Sequence, residues 1–290
     1  MNTPCPICAA DTISVGEKLS RFSGRRYLLR QCGACWFSFI ENPWTDYAHI
    51  YDDAYYAGRG GDPSVDYRFE LQHPERTIRK YEWSGILEIV SALIPIGAQT
   101  RWMDFGCGNG GLVRYVGNVA GCDAVGFDEG AIAADVRKAG IPLVDSSQLD
   151  ALAGSFDVIT AVEVIEHAPD PLSVLRQMRR LLKPGGLCFM TTGNAAPFRK
   201  RLRDWSYVVP DVHVSFFEPE TLALALTRSG FRPEFRDAVP GFDQVIRFKV
   251  LKGIGVRHPN VVERALPWTV LSRVVDGVFG VSRHPVGWAV

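Results

Sequence analysis

The sequence predicts an α/β fold: a mostly parallel sheet with helices on both faces, preceded by a small cysteine-bearing module. Three observations carry this. Between residues 81 and 255, helical and strand patterns alternate at short intervals. The run Gly106-Cys107-Gly108-Asn109-Gly110-Gly111 follows one strand pattern and opens a helical one. Two Cys-x-x-Cys pairs, Cys5 with Cys8 and Cys32 with Cys35, stand at the N-terminus. Strand–helix–strand repeats imply right-handed crossovers and a parallel sheet, and ligands of such sheets bind at the carboxyl ends of the strands.

Residues 1–40 come first. Two cysteine knuckles supply four thiolates, the ligand set of a closed tetrahedral zinc site. The 23 residues between Cys8 and Cys32 leave room for a β-hairpin that includes Arg26-Tyr27-Leu28-Leu29. A segment with so little core needs a staple, so Cys5, Cys8, Cys32 and Cys35 are expected to hold a structural zinc in a ribbon. Residues 41–80, rich in Tyr, Gly, Asp and Pro, read as a linker and active-site cover.

The third zone opens with helical spacing over 83–94, ended by Pro95 and Gly97. A strand at 100–105 leads into the glycine run, then a helix at 112–120 and a strand at 123–127. A helix at 131–139 closes at Gly140, and strands follow at 142–144 and 156–164. In 171–182, Leu172, Leu175, Met178 and Leu182 share one helical face. Lys183-Pro184-Gly185-Gly186 stops that helix before a strand at 187–192. The tail from 256 to 290 is amphipathic, with Leu266, Trp268, Val270, Leu271 and Val274 in it, and reads as a helical extension that packs on the core or covers the site.

Composition narrows the function. Apolar residues make up 47%, enough for a sizeable core and too many for disorder. Lys plus Arg and Asp plus Glu are 32 each, so the net charge is zero, and the basic excess of a nucleic-acid binder is missing. No run of eighteen apolar residues suggests a membrane span, and the N-terminus lacks the pattern of a signal peptide. The expectation is a cytoplasmic protein with reduced cysteines; Cys107, Cys122 and Cys188 read as core packing.

The glycine run lets the backbone turn sharply and a ligand approach without a Cβ in the way. Asp128 ends the next strand, about twenty residues on, where a carboxylate can accept from both hydroxyls of a ribose. Gly106, Gly108 and Gly111 satisfy a dinucleotide pattern; Gly106, Gly108 and Gly110, preceded by Asp104, satisfy D-x-G-x-G-x-G. Asp104 favours the second, because a carboxylate at the mouth of the loop repels a pyrophosphate and attracts a cation.

Five segments then occur in order: Asp104 to Gly110, Gly126-Phe127-Asp128, Phe156-Asp157-Val158-Ile159, Glu163-Val164-Ile165-Glu166-His167 and Leu181-Leu182-Lys183-Pro184-Gly185-Gly186. Together they resemble class I S-adenosylmethionine-dependent methyltransferases, most of all the bacterial group related to ubiquinone-pathway O-methyltransferases. The N-terminal knuckles, Asn42-Pro43 and Tyr51-Asp52-Asp53-Ala54-Tyr55-Tyr56 resemble the zinc ribbon and linker that precede many bacterial methyltransferases, some acting on sugars or natural products. The resemblance implies a Rossmann-like seven-stranded methyltransferase sheet with a final antiparallel hairpin, expected at 231–239 and 244–251. It implies cofactor contacts at Asp104, Gly106, Gly108, Gly110, Asp128 and Glu163. It places His167 after the fourth strand and His213 before a late helix, both candidates to take the acceptor's proton. In some relatives Glu163, Glu166 and His167 correspond to a triad associated with a divalent cation.

The bland readings stand beside these. His167 serves equally as a loop hydrogen-bonder, and His213 as a wall residue. The cations Arg199, Lys200, Arg201 and Arg203 fit either a solvated face or an acidic acceptor. A small-molecule acceptor leads, methylated on oxygen, with carbon of a sugar or natural product next. Ribosomal RNA methylation and a non-catalytic S-adenosylmethionine-binding module are the alternatives. A monomer or homodimer is expected.

Overall fold

A computed structural model describes residues 3–61, 63, 65–236, 240–259, 261, 266–279 and 284–290. Strands β1 (Thr12–Leu19), β2 (Arg26–Cys32) and β3 (Ser38–Ile40) form an antiparallel sheet. Alternation buries Tyr27, Leu29 and Gln31 on one side of β2. The sheet takes its fourth strand, β9 (Ser215–Phe216), from far along the chain, through Ser38↔Phe216 and Phe39↔Ser215. Asp211 ties the hairpin down as well: it accepts from Ser20, Ser23 and Tyr27. The N-terminal module is thus stitched into the main body.

Residues 47–72 carry three short helices, α1 (Tyr47–Ile50), α2 (Asp53–Tyr56) and α3 (Tyr67–Gln72). Asp46, Asp52 and Asp66 cap them in turn, each side chain accepting from a backbone N–H of the first turn.

The main sheet has β4 (Arg101–Phe105), β5 (Asp123–Phe127), β6 (Leu143–Val144), β7 (Phe156–Val162), β8 (Leu182–Thr191), β10 (Phe231–Arg236) and β11 (His284–Ala289). Their order is β10-β11-β8-β7-β4-β5-β6; β4 to β8 pair in parallel, while β11 runs antiparallel to both neighbours. Successive side chains of β8 face opposite ways: Leu187 and Phe189 meet α4 (Arg79–Leu93) and α5 (Gly111–Ala120), while Cys188 and Met190 meet α7 (Pro171–Leu181) and α8 (Pro219–Arg228). Helix α7 begins as its sequence dictates, with Pro171 at its start and the Asp170 side chain accepting from Ser173 N–H at 3.0 Å. Helix α6 (Ala133–Lys138) connects β5 to β6. Among the described residues no helix is long and apolar enough to cross a membrane.

Two expectations are corrected here. Residues 244–251 are not the last strand; they lie in helix α9 (Phe242–Gly253). Val245, Ile246 and Val250 suggest a strand by propensity, but buried Phe242, Val245 and Ile246 recur at helical spacing and pack α9 on α4. The partner of β10 is instead β11, with Phe231↔Ala289 to Arg236↔His284 in register. So the tail read as a helical extension holds the helix Trp268–Phe279 and then returns to complete the sheet. The end of the expected strand, 237–239, and tail residues 262–265 and 280–283 lie outside the described residues.

Candidate active site

Parallel strands deliver their carboxyl ends to one edge, and the site is built there. After β4 the backbone turns through Gly106, Gly108 and Gly110, each with positive φ. At Gly106 a side chain is also barred by space, since a Cβ would stand 2.7 Å from a Val164 methyl. Asp104 is buried beneath the turn, and Thr160 Oγ1 donates to it at 2.7 Å. Burial outweighs that bond and raises the carboxyl to about 7. Asp128 follows β5, and its two oxygens accept from Gly108 N–H and Gly130 N–H, each at 2.8 Å. Its own pKa is raised, again by burial. Each oxygen keeps acceptor capacity toward the cavity.

Glu163 follows β7 with φ +54°, in the left-handed region that non-glycine residues seldom adopt. Its Oε2 accepts from the Tyr207 hydroxyl at 2.7 Å. The same hydroxyl reaches Glu166. One phenolic proton cannot serve two carboxylates, so one acid must keep its own. Burial, and next the charge of Glu163, push Glu166 far up. Burial pushes Glu163 up too, but Lys249, the Tyr207 hydroxyl and Lys252 together hold it at about 2. Glu163 is therefore the charged member at neutral pH.

His167 ends the turn Ile165–His167, with Nδ1 3.0 Å from the Tyr51 hydroxyl. His213 is buried, its Nδ1 2.7 Å from the carbonyl oxygen of Tyr207. The two imidazoles lie 4.9 Å apart, edge to face. The structure thus brings the two sequence-nominated histidines together. Glu166, His167 and His213 can each present one ligand atom within 4.8 Å of the others; this set contains His213 where the resemblance implied Glu163.

Asp104, Gly106, Gly108, Asp128, Glu163, His167, Tyr207 and His213 share one cavity of about 1110 Å³. Several of its lining residues lie outside the five methyltransferase-like segments. Tyr51, Tyr55, Tyr56 and Tyr67 of the segment 41–80 form a run of ring contacts 4.9 to 6.0 Å apart. Arg79 donates from Nε to Glu70 at 3.0 Å and from Nη1 to Glu82 at 2.9 Å, leaving Nη2 committed to neither. The sequence signals for the first group were a tyrosine-rich irregular stretch and the linker-like run Tyr51 to Tyr56; nothing marked Arg79 or Tyr207. The basic stretch is placed elsewhere: Arg199 pairs with Glu218 and lies 4.3 Å over Trp36, Arg201 lies over Phe198, and Arg203 packs against Gly16.

Away from the cavity, Cys5 and Cys35 sulfurs lie 3.6 Å apart and Cys8 and Cys32 sulfurs 3.4 Å, with all four within 4.8 Å. Zinc–sulfur bonds of about 2.3 Å in a tetrahedron put sulfurs roughly 3.8 Å apart, so the set fits. Cys32 Sγ also accepts from the N–H groups of Ala34 and Cys35. Cys5 is lowered to about 5, chiefly by the hydrogen bond from Cys35.

A family model described as a methyltransferase domain matches residues 76–234. The ubiquinone biosynthesis O-methyltransferase of Bordetella pertussis is 28% identical over 211 residues, 65% of this chain and 82% of that protein. The protein of the same name from Pseudomonas aeruginosa is 38% identical over 114 residues, 34% of this chain and 47% of its own. A chain of the complex between the Trm112 methyltransferase activator and a methyltransferase of Haloferax volcanii aligns at TM-score 0.51 and 16% identity. It covers 78% of this chain and 95% of that one, a likeness of fold.

Proposed function

The chain belongs to the methyltransferase-domain family and is a class I S-adenosylmethionine-dependent methyltransferase; on that premise we propose that it methylates an oxygen of a small-molecule acceptor. The observation that carries the reading is the shared cavity, with a carboxylate cradle at Asp128 and two adjacent imidazoles at its other end. The likeness to ubiquinone biosynthesis O-methyltransferases supports oxygen as the acceptor atom. We place the enzyme in the cytoplasm.

The residues present fit the cofactor, since Gly106 and Gly108 present bare backbone to the cavity and Asp128 keeps acceptor capacity beyond its two backbone donors. Asp128 would take the ribose hydroxyls, while Gly106, Gly108 and Gly110 let the backbone approach. Asp104 and Glu163 would face the ammonium end, and Arg79 Nη2 the carboxylate. When bound, S-adenosylmethionine supplies an electrophilic methyl group. The chain's task is to align the acceptor in line with it and receive the acceptor's proton. His213 is the proposed base. A carbonyl only accepts, so its Nδ1 keeps a proton against Tyr207 and Nε2 is the basic nitrogen. His167, oriented by Tyr51, would assist. The tyrosines of residues 41–80 act as a cover. Cys5, Cys8, Cys32 and Cys35 hold a zinc whose role is structural, as all four positions are filled by protein.

Calorimetry tests the cofactor assignment. S-adenosylhomocysteine should bind, and Asp128→Ala should weaken it by roughly 1–3 kcal/mol, the cost of polar groups left unpaired. Binding of NAD in its place would overturn the assignment.

A further inference from the structure

Among the described residues, three Lys or Arg side chains line the cavity: Arg79, Lys249 and Lys252. Arg79 is already engaged by Glu70 and Glu82 and lies between the rings of Tyr67 and Phe248, at 5.8 and 5.3 Å. The lysines are differently placed. Both are exposed, they sit three residues apart on α9 and so share a helix face, and among the described residues neither forms an ion pair. Both nonetheless line the same cavity as Glu163 and Glu82.

The acids of the lining are spread more widely: Glu82 lies on α4 itself, Asp104 on β4, and Glu163 directly after β7. Asp52 and Asp53 belong to the cover segment, and Asp128 and Glu129 to the loop after β5. The cations are gathered on α4 and α9, and only on α9 do they stand without an acid of the lining on the same element. The cavity's volume of about 1110 Å³ exceeds the roughly 300–1,000 Å³ of a single ligand pocket, so a second ligand has room beside the cofactor. An anion seated there would accept charge-assisted hydrogen bonds from both ammonium groups, which a neutral apolar occupant would not.

Resting on the S-adenosylmethionine site proposed above, we infer that Lys249 and Lys252 form an anion subsite for the acceptor, whose substrate class is a small molecule bearing a carboxylate or phosphate besides the atom that is methylated. Two ammonium groups on one helix face suit such a group as paired point charges. The segment 199–203 drew attention to itself in the sequence for this purpose, but none of its cations lines the cavity; the inserted helix supplies them instead.

The probe is inorganic phosphate, titrated by calorimetry into the full chain with and without saturating S-adenosylhomocysteine. Wild type should bind phosphate, the double variant Lys249→Ala/Lys252→Ala should bind it at least tenfold more weakly, and Lys249→Arg/Lys252→Arg should stay within threefold. Affinity for 5′-methylthioadenosine, which lacks the amino-acid end that Glu163 would face, should hold within twofold in all three, and any loss of S-adenosylhomocysteine affinity should be smaller than the loss of phosphate affinity. No phosphate binding by wild type in either state, or equal binding by the alanine variant, overturns the subsite. So does a loss of S-adenosylhomocysteine affinity as large as the loss of phosphate affinity, with unchanged binding of 5′-methylthioadenosine; the lysines would then serve the cofactor's carboxylate. Absence of S-adenosylhomocysteine binding to wild type would sink the cofactor site itself, while the titration of the unloaded chain still decides the lysines.

Discussion

The Tyr207 carbonyl leaves His213 one arrangement of its proton, and so one basic nitrogen, Nε2. A general base contributes about 10²–10⁴-fold. His213→Ala should lower S-adenosylhomocysteine release by that order while affinity for this product stays within twofold; unchanged turnover would remove His213 from the role. Asp104 adds a pH dependence. Its carboxyl sits near 7 because it is buried, so below that pH the empty site holds a neutral acid. A ligand ammonium favours the ionised form, and affinity for S-adenosylhomocysteine should climb with pH, by up to about tenfold per unit below 7, and level off above. Calorimetry at pH 6 and 8 should show the rise in wild type and a flat response in Asp104→Asn. Asp104, Asp128 and the glycines were legible in the sequence because one strand–turn–helix–strand unit carries all of them at fixed spacing. Arg79 and Tyr207 were not, because each reaches the cavity alone, from an element whose position only the fold determines.

Strand β9 belongs to two structures at once: it is the edge of the N-terminal sheet and the continuation of the segment that carries His213. Ile40 N–H donates to Val214 carbonyl at 2.9 Å, and Val214 N–H to Glu166 carbonyl at 2.7 Å, so the cysteine module, the acceptor wall and the turn after β7 are chained through backbone. Metal analysis of protein purified without added zinc should find one zinc per chain, and Cys32→Ser should lose it. The variant should melt at lower temperature and still bind S-adenosylhomocysteine, since the glycine loop lies in the other sheet. A folded, metal-free wild type would remove zinc from the account. The pairing of distant strands was invisible in sequence, where 1–40 looked self-contained. So was the nature of 244–251, where β-branched residues masked a helical spacing that matters only once α4 is beside it.

Across the whole molecule, two apolar layers sandwich the main sheet, and the strand that completes it arrives last. β11 is held by β8 on one side and β10 on the other. Deleting residues 284–290 should leave two unpaired strand edges, a template for association between chains. Size-exclusion chromatography should show aggregates for the truncated chain; a stable product that elutes like the full chain would show that β11 is dispensable.

The path from β10 to β11 also bears on how the chain reaches its native state. A hairpin normally closes through a few residues, but here residues 237–283 intervene. Loop-closure entropy grows with the logarithm of length, which makes this closure cost about 2 kcal/mol more than that of a five-residue turn. Contacts so distant in sequence form late. During refolding, β8 should spend time as an open edge, and the folding intermediate, rather than the native protein, is where this chain is most exposed to aggregation and most in need of a chaperone.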